Sequence, residues 1–203
     1  MTRRIIVAIT GASGARYGIE ALRVLRAVPE VETHLVMTRA ATATVAAETD
    51  TTVAEIRGSA DVVHGEHDLG AAIASGSFRT EGMLVAPCSI RTLSGIANCY
   101  DETLVVRAAD VVLKERRRLV LLVRETPLHA GHLRLMTEVT AARAVVMPPV
   151  PAWYSRPATP EDIVRHTVAR ALDLVGIDVD GAPRWTGERE PVDRRIRAVD
   201  QQW

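Results

Sequence analysis

Aromatic side chains are scarce: one Phe, three Trp and three Tyr in 203 residues. A core without rings must be built from Val, Leu, Ile and Ala, and the 47% apolar content supplies them. The scarcity makes the adjacent pair Trp153-Tyr154 conspicuous. Lysine is almost missing as well. Of 25 basic residues, Lys114 alone is a lysine. The net charge is zero, which excludes a broad basic footprint for nucleic acid. Any anion site must therefore be a local gathering of arginines with Lys114. Cysteine is limited to Cys88 and Cys99, with no zinc spacing, which suits a reducing compartment and no metal. No stretch approaches the roughly 20 apolar residues of a membrane helix, and the short apolar run after the N-terminal MTRR is no signal peptide. The expectation is a cytoplasmic protein with no membrane part.

What is present is a regular alternation. A β-branched run at 5–9, an alternating one at 31–37 and short apolar runs at 62–63, 83–86, 119–123 and 144–147 read as strands. Helical spacing follows at 15–25, 40–48, 92–97, 104–116, 129–139 and 163–175, the last opening at Pro160-Glu161-Asp162. Strand and helix alternate six times without repeat or linker. That predicts an α/β fold, a single doubly wound parallel-sheet domain over 1–185, with a polar C-terminal tail at 186–203. The segment 64–80 is rich in Gly, Ala and Ser and reads as a long functional loop. His64 and His67 within it lack a third ligand and read as surface residues. Pro148, Pro149, Pro151 and Pro157 bracket Trp153-Tyr154 in a stiff, helix-free loop.

Parallel strands place their C-terminal turns on one sheet edge, where open α/β sheets bind ligands. Four such turns carry polar chemistry: 10–14, Thr38, 89–92 and Arg124-Glu125. The turn Thr10-Gly-Ala-Ser-Gly14 between strand and helix is either a phosphate cradle or a plain βα turn, with Ser13 as a helix cap. Taken alone, Glu48 reads as a solvated helix end, Cys88 as a small buried hydrophobe rather than a nucleophile, and Arg107 and Lys114 as solvent-facing charges seven residues apart on one helix. Together the four turns point to a phosphorylated ligand in the crevice. No Asp-rich pair suits Mg²⁺, so Arg, Lys and hydroxyl groups must neutralise its charge.

Six stretches resemble the UbiX family of flavin prenyltransferases, formerly labelled aromatic acid decarboxylases: TGASGARYG at 10–18, ETHLVMTRAA at 32–41, ASGSFRTEGMLVAPCSIRTLSG at 74–95, RAADVVLKERR at 107–117, LVLLVRETPLHAGHLRLM at 119–136 and MPPVPAWYSRP at 147–157. The resemblance implies a flavodoxin-like Rossmann fold and a dodecamer with active sites at subunit contacts. It implies transfer of the dimethylallyl group of dimethylallyl monophosphate to N5 and C6 of reduced FMN, without metal. The product, prenylated FMN, would serve a UbiD-type decarboxylase. By the same resemblance Gly11, Ala12, Ser13, Thr38, Ser89, Ile90, Arg91, Thr92 and Arg124 bind FMN. Lys114, Arg124, Tyr154 and Arg170 hold the prenyl phosphate, with Arg107 near the site. Ser13, Glu48, Lys114 and Glu125 take catalytic roles, the two glutamates in proton handling. Leu69 stands near a position where some relatives have a tryptophan over the prenyl group. Two other readings stay open at this point: a non-catalytic FMN-binding partner subunit of an aromatic acid decarboxylase, and an FMN-dependent cysteine-type decarboxylase.

Overall fold

Six parallel strands form one sheet in the order β3-β2-β1-β4-β5-β6. The computed structural model describes residues 2–179; the polar tail at 186–203 and the end of the expected domain lie outside them. The strands are β1 (Arg3–Ile9), β2 (Val31–Met37), β3 (Val62–His64), β4 (Gly82–Cys88), β5 (Arg118–Val123) and β6 (Val145–Val146). The helices are α1 (Ala15–Leu25), α2 (Arg39–Glu48), α3 (Val53–Gly58), α4 (Ile90–Ala97), α5 (Leu104–Lys114), α6 (Ala130–Ala141) and α7 (Pro160–Val175). The expected doubly wound α/β domain is what forms. The four inner strands β2, β1, β4 and β5 are buried on both faces, as parallel strands must be when helices cover them.

The two faces carry separate cores. On one, Ile5, Val7 and Ile9 of β1 pack with residues of α1, α2 and α3 and with Val168, Ala171, Leu172 and Val175 of α7. On the other, Ile6 and Ala8 pack with α4, with Val105, Ala108, Ala109 and Val112 of α5, and with Leu135 and Val139 of α6. Alternate residues of a strand point to opposite faces, so β1 divides between the two. The consequence for any site is direct: α5 and α7 lie on opposite sides of the sheet.

Local chemistry sets most helix starts. Thr38, Ser89 and Thr103 accept a backbone N–H at the openings of α2, α4 and α5, and Thr52 and Thr159 form full capping boxes. Helix α1 lies close on β4 because residue 18 is Gly. A Cβ there would sit 2.3 Å from the Ala86 carbonyl oxygen.

Three expectations need correction. The last strand pairs only through Val145 and Val146 with β5. It is an edge strand, and Pro148-Pro149, lacking N–H donors, cannot prolong it. The proline loop is not free of helix: Trp153–Ser155 forms one 3₁₀ turn. His64 is half-buried rather than a free surface residue. It stacks on buried His34, and its Nε2 lies 2.9 Å from His34 Nδ1.

Candidate functional site

The strand order reverses between β1 and β4, and the crevice opens beyond their C-terminal ends. One buried side chain ties its two walls together. The Thr10 hydroxyl donates to the Pro87 carbonyl at 2.7 Å and accepts from the Ser89 N–H at 2.9 Å. The turn after β1 is thereby locked to the turn after β4. The composition of the glycine turn drew attention to residues 11–14, whereas the fixed point is the Thr before them.

Beyond this clamp lies a cavity of about 930 Å³, at the upper end of the roughly 300–1,000 Å³ of small-molecule sites. Gly11 from the first turn, Thr38, Arg39 and Ala40 from the start of α2, and Ser89, Arg91 and Thr92 from the start of α4 line one part of it. Asn98, Tyr100, Glu102 and Thr103 close another part. Three of the four expected turns therefore meet at one cavity. The N-terminal ends of α2 and α4 face it, with their positive dipole ends and with Arg39 and Arg91 at the walls. Ser89 and Thr92 share a hydroxyl contact of 3.1 Å. These are the components of a phosphate site. Arg39 and the 98–103 segment escaped the sequence reading, because nothing in their spacing separates a cavity wall from a solvated loop.

The N-terminus of α1 differs. Gly14 is its N-cap, with φ +104° and no capping side chain of its own. The cap comes from elsewhere: Glu48, at the end of α2, accepts the Gly14 N–H at 2.8 Å and the Ala15 N–H at 3.3 Å. Glu48 is thus no solvated helix end, and Ser13 is not the cap. Burial disfavours the charged form of Glu48. The Ser13 hydroxyl, the two backbone N–H groups and the nearby Arg124 cation outweigh it and hold the carboxyl below its ordinary range. Glu48 engages the Gly14 and Ala15 N–H groups much as Glu66 engages the Arg39 N–H at the start of α2, at 2.7 Å; the start of α4 is capped by Ser89 of its own turn. What the turn presents is a fixed Ser13–Glu48 pair beside Arg124.

Arg124 is exposed at the end of β5, and its N–H bonds the Cys88 carbonyl at 3.1 Å. Glu125 follows, half-buried, accepting the Thr126 N–H at 3.0 Å. Ala12 and Ile90 are half-buried in the two clamped turns. Cys88 lies at the same edge but is fully buried, and burial pushes its thiol up to about 12. A thiol so far from ionisation at neutral pH is no nucleophile. Cys88→Ala is accordingly expected to keep turnover within about twofold of the unaltered protein, measured at saturating substrate.

The remaining expected site residues are not brought to this cavity by a single chain. Arg107 is committed to Asp101 and Asp110, each at 3.1 Å, and to the Ala74 carbonyl at 3.2 Å. Arg117 donates to the carbonyls of Gly76 and Phe78. These two arginines bind the 74–80 loop onto α5. Lys114 lies at the C-terminal end of α5, which is the opposite sheet edge from Arg124, and pairs with Glu115 at 3.2 Å. Tyr154 and Arg170 form a separate exposed group on the outward side of α7, where Tyr154 meets His166 at 3.2 Å and Arg170 pairs with Asp173.

The Flavoprotein family model matches residues 1–171. The flavin prenyltransferase UbiX of Escherichia coli K12 is 56% identical over 187 residues, 91% of this chain and 99% of its own. The chain belongs to the UbiX flavin prenyltransferase family. A crystal structure of AnUbiX (PadA1) in complex with FMN and dimethylallyl pyrophosphate superposes with a TM-score of 0.90 at 50% identity, covering 93% of this chain and all of that one. A dodecameric FMN-dependent UbiX-like decarboxylase from Escherichia coli O157:H7 superposes with a TM-score of 0.88 at 48% identity, covering 91% and 100%. Among the described residues no group of three or more His, Cys, Asp or Glu is placed to hold a metal ion, and no helix is long and apolar enough to cross a membrane.

Proposed function

We infer that this protein is a flavin prenyltransferase that joins the dimethylallyl group of dimethylallyl monophosphate to reduced FMN and yields prenylated FMN. The observation that carries the reading is the cavity between the starts of α2 and α4, lined by Thr38, Ser89, Arg91 and Thr92 and adjoining a fixed Ser13–Glu48–Arg124 group. The donor set fits a flavin nucleotide. Hydroxyls, helix N-termini and two arginines suit its phosphate, and the Gly11–Ser13 turn with Arg124 suits its ring system.

Reduced FMN, when bound, supplies the N5 and C6 atoms to which the prenyl group becomes attached. The chain supplies the rest. The allylic C–O bond breaks and phosphate departs as an anion, which Lys114, Arg124, Arg170 and Tyr154 stabilise through fixed charge and a hydrogen bond. A proton must leave the ring carbon; Glu125 or the released phosphate accepts it. Ser13, held by Glu48, is placed to move a proton on the flavin side. Leu69 is an exposed aliphatic, so stabilisation of the allylic cation falls to the flavin ring rather than to a protein π face.

Lys114 and Arg170 lie on helices covering opposite faces of the sheet, so one chain cannot close both on one phosphate. The pocket is completed by neighbouring copies in a homo-oligomer, for which the dodecamer of the UbiX-like relative is the pattern. Arg107, held by Asp101, Asp110 and the Ala74 carbonyl, supports the 74–80 loop at that contact. The product passes to a UbiD-type decarboxylase, and the reaction takes place in the cytoplasm.

The test is anaerobic incubation with reduced FMN and dimethylallyl monophosphate, read by mass spectrometry of the released flavin. The expected result is a flavin heavier by one prenyl unit. Bound but unmodified FMN would instead support a non-catalytic FMN-binding subunit.

A further inference from the structure

We propose that His166 is a positioning residue for the prenyl phosphate: it orients the Tyr154 hydroxyl so that its proton points to a phosphate oxygen. The proposal rests on the reading of Tyr154 and Arg170 as phosphate ligands.

Tyr154 belongs to the 3₁₀ turn Trp153–Ser155 and is 60% exposed. His166, from the second turn of α7, supplies a fixed point. Its Nε2 lies 3.2 Å from the Tyr154 hydroxyl. The two rings meet edge to face, at 5.7 Å between centroids and 81° between planes, a favourable arrangement for aromatic pairs. Arg170 is four residues further along, so its guanidinium stands on the same outward stripe of α7, one turn beyond the imidazole. Tyrosine, histidine and arginine thus form one exposed row.

The chemistry depends on which partner donates. A phenol has one proton. If His166 Nε2 is unprotonated, it takes that proton and the Tyr154 oxygen can only accept. If Nε2 carries a hydrogen, His166 donates to the Tyr154 oxygen and the phenolic proton is free for an anion. An incoming phosphate favours the second arrangement, and the imidazolium form enforces it while adding a cation beside Arg170. The charged neighbours on α7 are Asp162 and Arg170, one turn before and one turn after His166. Asp162 is already held by Thr159 and Arg165, and Arg170 pairs with Asp173. From the element packed against the imidazole, Tyr154 is the titratable group, and Arg156 follows at the end of its turn.

The test compares the FMN-loaded unaltered protein with H166Q, H166A, Y154F and R170A, with KM for dimethylallyl monophosphate and kcat measured from pH 5.5 to about 8.5. H166A is expected to raise KM roughly fivefold, with kcat within about twofold and FMN retained. H166Q keeps an N–H donor and is expected to restore most of that KM. Glutamine has a single protonation state, so the pH dependence of KM in H166Q should follow the substrate phosphate alone and differ from that of the unaltered protein. The proposal is overturned if Y154F and R170A raise KM but H166A has the KM and pH profile of the unaltered protein. If Y154F and R170A also leave KM unchanged, the phosphate-ligand reading itself fails and takes this proposal with it.

Discussion

Replacing Lys114 with alanine is expected to lower kcat/KM for dimethylallyl monophosphate by roughly 10²-fold, while FMN stays bound and the fold stays intact. The magnitude follows from removing one fixed donor from a departing anion in a closed site. The selectivity follows from position. Lys114 sits at the end of α5, at the sheet edge opposite the cavity, and pairs with Glu115 at 3.2 Å. That pair is half-exposed, and such surface pairs contribute little to stability, about 0–1 kcal/mol. Thermal melting should therefore move little. Lys114→Arg is expected to recover only part of the activity, because a planar fork does not reproduce a compact ammonium. Steady-state kinetics beside a flavin-binding titration checks all three statements. Loss of FMN before loss of prenyl phosphate use would show that Lys114 is misassigned.

The second large effect is expected at Glu48. Its carboxylate caps α1 through the Gly14 and Ala15 N–H groups, and its pKa is held low. Glu48→Ala leaves both donors and the Ser13 hydroxyl without their partner, at a cost of about 1–2 kcal/mol of stability, and frees the turn that faces the flavin. Turnover should fall roughly 10²-fold, because Ser13 loses its orientation. The pH dependence has a defined sign. A carboxyl whose folded pKa lies below its unfolded value stabilises fully above the unfolded value, and that stabilisation is lost as pH falls through the folded one. The stability gap between the unaltered protein and Glu48→Ala should thus be widest above the ordinary carboxylate range and narrow on acidification below it. Urea unfolding at a series of pH values measures it. A gap that widened on acidification would contradict the cap.

The sheet was legible in the sequence because most of its strands are short apolar runs closed by Gly, Pro, Ser or Thr. The cavity's position followed from parallel topology alone. Three features were not legible, for physical reasons. Glu48 looks like any helix-end carboxylate until the fold brings α2 to the start of α1, 34 residues away in the chain. Thr10 reads as part of a glycine turn, although its two hydrogen bonds span 77 and 79 residues. Arg107 and Arg117 share a strong motif with Lys114, yet the structure commits them to the 74–80 loop. In all three cases the partner is distant in sequence, and no local spacing encodes it. His166 illustrates a fourth kind: helical spacing puts it on the row of Arg170, but its meaning comes from Tyr154, which the proline loop delivers.

The central claim is that each phosphate pocket combines Lys114 of one copy with Tyr154 and Arg170 of another. Mixed assembly tests it. Lys114→Ala and Arg170→Ala chains are unfolded together, refolded at a 1:1 ratio, and compared with each variant refolded alone. Random mixing leaves about a quarter of the pockets with both cations. The account predicts recovery of about a quarter of the unaltered activity from two variants that are each nearly inactive. Mixed oligomers, verified by mass spectrometry, with no recovered activity would contradict it.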